Sequence, residues 1–525
     1  MRLSIDESKI PEEDKNPTVV LLLEIIRQQA ELIQQLKDEI ARLKGHNKRP
    51  NIKPSRLENN KSTKAKRKSK KRPGSKKRHK TRNLQIHETI PREPEHIPAG
   101  SVFKDYNDFI VQGLKIHAHT IRYRLKTYET PDGKYICGKL PENLNGKHFS
   151  PELVSFILYQ HYHCCVTQPL LLEQLHEFGI DISAGQLNNI LIENKERYHQ
   201  EKDDILAAGI QVSRYINVDD TGARHKGKNG YCTHIGNESF SWFESTETKS
   251  RINFLKLLRA GHSDYFINVF ATEYMAANKL PKYILQPIIL KMGTLFVNDC
   301  QFNTFIADMS IVEPRHVQIV TEAALIGSIV EHGISNDLVI ISDDAGQFNV
   351  LLHALCWIHA ERTIDKMIAI TDEAQKDLDT TRDDIWKLYK GLKKYKENPN
   401  GKDKQRLETM FDDIFTKKTH SASLNEALKR LYKNKSELLL VLDRPDIPLH
   451  NNTAENGIRE YVKKRKISGT RSDTGRRCRD TFTSLKKTCR KLGISFWQYL
   501  KDRIEKTNCI PQLSDLIRHQ ALRPG

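Results

Sequence analysis

Apolar side chains between residues 18 and 44 (TVVLLLEIIRQQAELIQQLKDEIARLK) recur at alternating spacings of four and three: Leu22, Ile26, Ile33, Leu36, Ile40 and Leu43, with Gln29 as one polar break. That spacing is a coiled-coil seam. The segments on either side are polar, so the pattern predicts a self-association helix over 18–44, closed by Gly45 and Asn47. Residues 46–83 show no such period. They hold Pro50, Pro54, Pro73 and Gly74 among lysines and arginines, which predicts a basic, disordered linker. Short alternating runs in HTIRYRLKTYET and GKYICGKLP predict a small strand-rich module over 84–147. Over 148–205 the period becomes helical in SPELVSFILYQHYH, TQPLLLEQLHEFG and DISAGQLNNILIENKERY. Gly179 marks a turn and Ser183 an N-cap, so two short helices meet at helix-turn-helix spacing. An ordinary helical bundle fits the same residues.

From Tyr215 the pattern is mixed. YINVDDTGARHK, NGYCTHIGN and SFSWFES predict three strands and SRINFLKLL a helix. DLVIISDD predicts a further strand, FNVLLHAL a helix, and CWIHAERTI a short strand or helix start. This order predicts an α/β fold with a ribonuclease-H-like core over 206–498. Residues 365–447 are charged and strongly helical, and are read as an α-helical insertion. Residues 499–525 are read as a C-terminal tail.

Three acids stand where this pattern changes. Asp219 and Asp343 end apolar strands, and Glu455 opens a helix after the polar turn PLHNNTAENGIRE. Two strand-end aspartates and a later helix glutamate form the layout of a two-metal phosphoryl-transfer site, because hard cations such as Mg²⁺ prefer carboxylate oxygens. Asp220 and Asp344 adjoin the two aspartates, and alternation along a strand turns only one of each pair toward a metal.

Charge adds a partner. The net charge is +19, concentrated in 61–82 and 459–491. Two basic segments fit a polyanion, most simply nucleic acid, although charge alone also fits a ribosomal or membrane-surface protein. Lys66, Arg67, Lys70, Lys71 and Arg72 are candidate phosphate contacts in the linker, where KRPGSKKR resembles a minor-groove hook. Gln186, Asn188 and Asn189 are candidates for base edges or phosphates. Lys463, Lys464, Arg465, Lys466, Arg471, Arg476 and Arg477 follow Glu455 and are candidates to hold phosphates beside the metals. Nine scattered cysteines without a CxxC pair fit a reducing cytosol. His161, Cys164 and Cys165 share a helical face, but adjacent cysteines rarely ligate one ion. No signal peptide and no membrane span is expected, since the start is polar and no apolar run nears the ~20 residues a span needs.

VDDTGARHKGKNGY, ISDDAGQFN followed by LCWIHAERT, and NNTAENGIREYVKKRKISGTRS resemble the transposases of the insertion sequence 66 family. The resemblance covers most of the chain. Its specific part is a Cys-Trp-x-His-x-x-Arg element (Cys356, Trp357, His359, Arg362) followed by an Asn-Asn-x-x-Glu element (Asn451, Asn452, Glu455). It implies a bacterial, cytoplasmic DDE enzyme with Asp219, Asp343 and Glu455 as triad, the first aspartate of each pair falling where the family's does. Two Mg²⁺ ions, with Mn²⁺ as substitute, are the expected cofactors. The resemblance makes the two elements motifs without assigning them chemistry, and His359, Arg362, Asn451 and Asn452 are candidates for positioning, with His359 left open between a carboxylate and a phosphate. The implied substrates are DNA carrying terminal inverted repeats, and target DNA. The implied assembly is a homodimer or larger, with two small accessory proteins of the same element. Two departures stand out. Residues 84–136 hold no cysteine where the family often has a zinc module, and His450 stands where an acid usually precedes the asparagines. The rival readings are a transposase-derived DNA-binding regulator without catalysis, and a ribonuclease-H-like nuclease that does not join strands.

Overall fold

The computed structural model describes residues 84–141, 144, 148–369 and 371–522. The coiled-coil helix expected over 18–44 and the linker expected over 46–83, with Lys66, Arg67, Lys70, Lys71 and Arg72, lie outside the described residues. The chain divides into two units, 1–113 and 114–525. Within the first, residues 84–113 carry no helix or strand.

The second unit opens with a hairpin, β1 (Thr127–Glu129) and β2 (Tyr135–Cys137), in which Thr127 faces Cys137. It is all that forms, among the described residues, of the strand-rich module expected over 84–147. The residues of both strands are exposed, so there is no buried face to recruit further strands. Four helices follow: α1 (Pro151–Tyr162), α2 (Gln168–Glu177), α3 (Ala184–Ile192) and α4 (Glu196–Val212). Helix α3 starts with a full capping box, Ser183 and Gln186 each bonding the other's backbone N–H.

Three consecutive strands then form a meander, β3 (Tyr215–Gly222), β4 (Tyr231–Gly236) and β5 (Ser241–Thr246), and α5 (Arg251–Leu258) leaves it. An excursion of β6 (Tyr265–Phe266), α6 (Val269–Ala277), α7 (Lys282–Ile289), β7 (Leu295–Phe296), α8 (Asp299–Asp308) and α9 (Pro314–Glu331) returns the chain to β8 (Val339–Ser342). Next comes β9 (Leu352–Leu355), so the helix expected for FNVLLHAL is in fact a short 3₁₀ turn and a strand. A brief apolar run has no period long enough to separate the two, and pairing with β8 decides it. The sheet order is β5-β4-β3-β8-β9, antiparallel across the meander and parallel from β3 through β9. This mixed sheet under helices is the α/β class the pattern predicts.

After the sheet come α10 (Trp357–Asp365), α11 (Asp372–Glu397), α12 (Gly401–Phe415), α13 (Ala422–Lys433), α14 (Lys435–Leu438), α15 (Asn452–Ile467), α16 (Asp473–Lys491), α17 (Phe496–Glu505) and α18 (Leu513–Ala521). Of residues 499–525, expected as a tail, the described ones, 499–522, complete α17 and form α18. Leu513 and Ile517 are fully buried, and Arg503 makes a buried ion pair with Glu201 of α4 at 2.8 Å. One hydrophobic core joins α1–α4, the meander, α9 and α16–α18. The boundary expected at 205/206 falls inside α4. No helix among the described residues is long and apolar enough to cross a membrane.

Helix α16 shields the edge strand. The N–H groups of Ser241, Phe243 and Ser245 bond the side chains of Thr488 (3.2 Å), Ser484 (2.9 Å) and Asp480 (2.8 Å). Four helical residues rise about 6 Å and two strand residues advance about 6.6 Å, so the two rows stay in step. The strand's donors are satisfied within the chain and are not free to pair with another molecule. Glu460 ties α15 to α16. Burial alone would raise its carboxyl, but Lys486 and Lys487, with Arg490 at 3.3 Å, hold it down at about 2. A depressed carboxylate contributes stability above the unfolded value near 4.5 that is lost as pH falls toward 2. Glu460→Gln is therefore expected to cost roughly 1–2 kcal/mol at neutral pH after solvent screening, and nothing at pH 2, read by denaturant melts at both pH values.

Candidate active site

Three elements far apart in sequence meet at one end of the sheet. Asp219 lies on the central strand β3, opposite His234 on β4. Asp343 is the first residue beyond β8, the parallel neighbour of β3. Glu455 lies in the first turn of α15, which packs over β3 and β4. Register puts the two aspartates side by side: β3 and β8 run parallel with Asn217 opposite Ile341, so two residues further on Asp219 and Asp343 are level, and β3 continues to Gly222.

The electrostatics show the convergence. Burial raises the Asp219 carboxyl to about 7, and the charges of Asp343, Asp220 and Glu455 push the same way against one backbone N–H, that of Asp220 at 2.8 Å. Burial raises Asp220 too, and it also feels the charge of Asp343, but it accepts from Gln347 Nε2 at 2.7 Å and is favoured by the charge of Lys249. Asp344 faces the helical insertion, accepting from Asn434 Nδ2 at 3.2 Å with Arg430 at 3.9 Å. In each adjacent pair the second aspartate accepts from a side-chain amide, Gln347 or Asn434, while the first accepts from a nearby backbone N–H, Asp220 at 2.8 Å or Ala345 at 3.2 Å.

Glu455 is held from α10. Arg362 Nη1 donates to its Oε1 at 3.3 Å and His359 Nε2 lies 3.6 Å from the same oxygen. Residues three apart share a helical face, so both reach one carboxylate. Burial lowers the His359 pKa against the opposing pull of Glu455 and Asp343. The remaining two residues of the Cys-Trp-x-His-x-x-Arg element pack. Cys356 is buried, its thiol pushed up to about 11 by burial, and its Sγ accepts the Asn451 N–H at 3.2 Å. A thiol so protonated is no nucleophile. Trp357 is buried and donates from Nε1 to Leu438 O at 2.8 Å.

Asn451 fixes where α15 begins. Its Nδ2 donates to Val218 O at 2.7 Å and its Oδ1 accepts from Asn217 at 2.9 Å, so the turn before Glu455 is stitched to the strand residue before Asp219. At Gly457 the helix comes so close to β4 that a Cβ would stand 2.8 Å from the His234 ring.

The basic residues after Glu455 divide. Lys463, Lys466, Arg471 and Arg477 are exposed. Arg465 donates to Thr221 Oγ1 at 3.3 Å, at the end of β3, and Arg476 pairs with Asp473 at 3.5 Å. Lys464 is a correction to the phosphate contacts expected. It is buried, its ammonium 4.2 Å over the Tyr162 ring and donating to His161 O at 3.1 Å. Helical period places it on the face of Gly457 and Tyr461, toward protein. On α3, Gln186 is exposed but spends its amide oxygen on the capping box, Asn188 accepts from Gln168, and Asn189 stands exposed.

Two other histidine groups lie apart from the carboxylate cluster. His161 Nδ1 is bonded to Val166 O at 2.9 Å, and Lys464 sits beside it. His262, Asp264 and His332 each bring one ligand atom within 4.8 Å of the others. Their two rings, however, stack at 3.4 Å and 11°, so their in-plane lone pairs run side by side instead of meeting, and His332 Nε2 is bonded to Asp264 at 2.8 Å.

Gln347 and Lys249, which hold Asp220, were not singled out from sequence. Gln347 lies in the run ISDDAGQFN, which was a usable signal; Lys249 had none.

Two parallel strands, β3 and β8, and the first turn of α15 thus bring three carboxylates together at one end of the sheet. The profile described as "Transposase IS66 family" matches residues 333–477, which span Asp343, His359, Arg362 and Glu455. The uncharacterized protein y4jO of Sinorhizobium fredii (strain NBRC 101917 / NGR234) is 43% identical over 303 residues, 57% of this chain and 94% of its own length. The chain belongs to the transposase IS66 family.

Proposed function

We propose that this protein is a DDE transposase of a bacterial insertion sequence, with a ribonuclease-H-like core that cuts DNA at terminal inverted repeats and joins the 3′ end to target DNA. The observation that carries the reading is the convergence of Asp219, Asp343 and Glu455 from three separate elements, in a chain of this family. The donor set fits divalent cations. All three are carboxylates; burial first, and then the charge of Asp343, raises Asp219, and a bound cation would offset both. Bound by Asp219, Asp343 and Glu455, two Mg²⁺ ions, or Mn²⁺ in their place, would supply Lewis-acid stabilisation of the attacking and leaving oxygens.

The chain's own residues do the rest. Arg362 and His359 orient Glu455, and Asn451 sets its height above β3. Lys463, Lys466, Arg471 and Arg477 present charge to DNA phosphates, which positions the strand without reading its sequence. Asn189 on α3 is offered to the terminal repeat. Pairing of two copies through residues 18–44 would bring two element ends together.

The test is cleavage and joining of labelled candidate element ends in Mg²⁺ or Mn²⁺, comparing native protein with Glu455→Gln. Native protein is expected to cut and join. The variant should bind equally but cut at least ~10³-fold more slowly, since metal stabilisation is worth several kcal/mol and each 1.36 kcal/mol is tenfold. Equal cutting by both rejects the triad. Binding by both with cutting by neither supports a regulator, and cutting without joining a nuclease.

A further inference from the structure

Beside the carboxylates a cleft of about 340 Å³ opens between α10 and the helical insertion. Asp343 and Asp344 close one end. Arg362 on α10, Lys366 just past its end and Arg430 on α13 line its walls, with the largely buried Leu355, Ala360 and Leu431 beneath them. A second depression, of about 440 Å³, shares Arg430 and continues along α13 past Glu426, Lys429 and Lys433. Five cations, Arg362, Lys366, Arg430, Lys429 and Lys433, therefore lead from the site, through the cleft, onto the insertion, with Asp344 and Glu426 among them.

We propose that this cleft is a nucleotide subsite, which seats the single DNA strand that flanks the scissile position, with Lys366 and Arg430 on its phosphates. The inference rests on the reading of the carboxylates as a DNA-cutting site. Four observations support it. The volume is at the lower end of small-ligand sites, roughly 300–1,000 Å³, which admits a nucleotide and excludes a duplex. The walls carry Arg362, Lys366 and Arg430, cations that can follow a strand's phosphates without reading its bases. Asp343 belongs to both the cleft and the carboxylate cluster, so a strand passing the metals enters the cleft directly. Arg430 is available to a phosphate: its side chain is 57% exposed and its ion pair to Asp344 is long, at 3.9 Å. Asn434, bonded to Asp344 at 3.2 Å, ties the insertion to the strand end and sets the width of the opening. This gives the insertion a purpose, as the second wall of a strand-binding groove.

The experiment measures binding, not cutting, so it does not depend on turnover. Full-length native protein, Lys366→Gln, Arg430→Gln and the double variant are titrated without divalent metal against fluorescent element-end duplexes, with and without a single-stranded flank. Both side chains are exposed or line an open cleft, and circular dichroism confirms folding. Native protein is expected to bind the flanked end more tightly than the blunt one. The double variant should lose at least ~10-fold on the flanked end and little on the blunt one. Its salt slope on the flanked end should shrink by about 1.4, at ~0.7 per single-strand phosphate. Equal losses on both ends, or no flank preference in the native protein, overturns the subsite. Failure of the cleavage reading is separate, and appears as Glu455→Gln cutting normally.

Discussion

Replacing Asp219 with asparagine is expected to make the metal-free protein more stable and the enzyme inactive. The Asp219 carboxyl, at about 7 in the fold against 3.8 in the open chain, binds its proton more tightly when folded. Between those values the folded state holds more protons, so stability is greatest below about 4 and falls as pH rises through 7. At pH 8 the ionised carboxylate thus strains the fold by a few kcal/mol, since each tenfold gain in proton affinity on folding corresponds to about 1.4 kcal/mol. Asparagine keeps the shape and removes the charge. Denaturant melts at pH 8 without metal should show Asp219→Asn more stable than native, with the difference shrinking toward pH 5. Mg²⁺ should then stabilise native protein and leave the variant unmoved. Cleavage by the variant should fall at least ~10³-fold. A variant less stable at pH 8, or one that Mg²⁺ still stabilises fully, would remove Asp219 from the proposed metal site.

The two aspartates were legible as acids that close apolar runs, in YINVDD and DLVIISDD. Asp343 does follow the end of β8, whereas β3 runs on past Asp219 to Gly222, because β4 pairs with it as far as Tyr231. Glu455 was legible through Asn451 and Asn452, which announce a turn before a helix. What stayed hidden depended on distant partners. FNVLLHAL became a strand because β8 offered an edge, which eight residues of sequence cannot show. Lys464 reads as one more cation in a basic run, yet the helix face it shares with Gly457 and Tyr461 is pressed on protein. The supposed tail reads as polar, while Leu513 and Ile517 find their core on α4. Asp220 could be told from Asp219 only once Gln347 had a place.

Gly457→Ala is expected to reverse the usual rule for a helix. Inside most helices this change stabilises by about 1 kcal/mol. Here the new methyl would meet the His234 ring at 2.8 Å. That ring has no room to retreat: it is fully buried, packed on Phe243 with centroids 4.7 Å apart and bonded through Nε2 to Ser241 Oγ at 3.1 Å. The helix must lift instead, and Glu455 rides on it two residues away, held to Arg362 at 3.3 Å. Overpacking should cost roughly 1–3 kcal/mol. The activity loss should be larger than stability explains, on the order of 10²-fold for a displacement near 1 Å. Asn456→Ala, one residue earlier and exposed, is the control and should stay within about 0.5 kcal/mol of native. His234→Ala added to Gly457→Ala should recover part of the cutting rate, because it returns the space the methyl takes. If Gly457→Ala alone melts higher and cuts normally, α15 does not depend on this contact, and the placement of Glu455 must come from Asn451 and Arg362 instead.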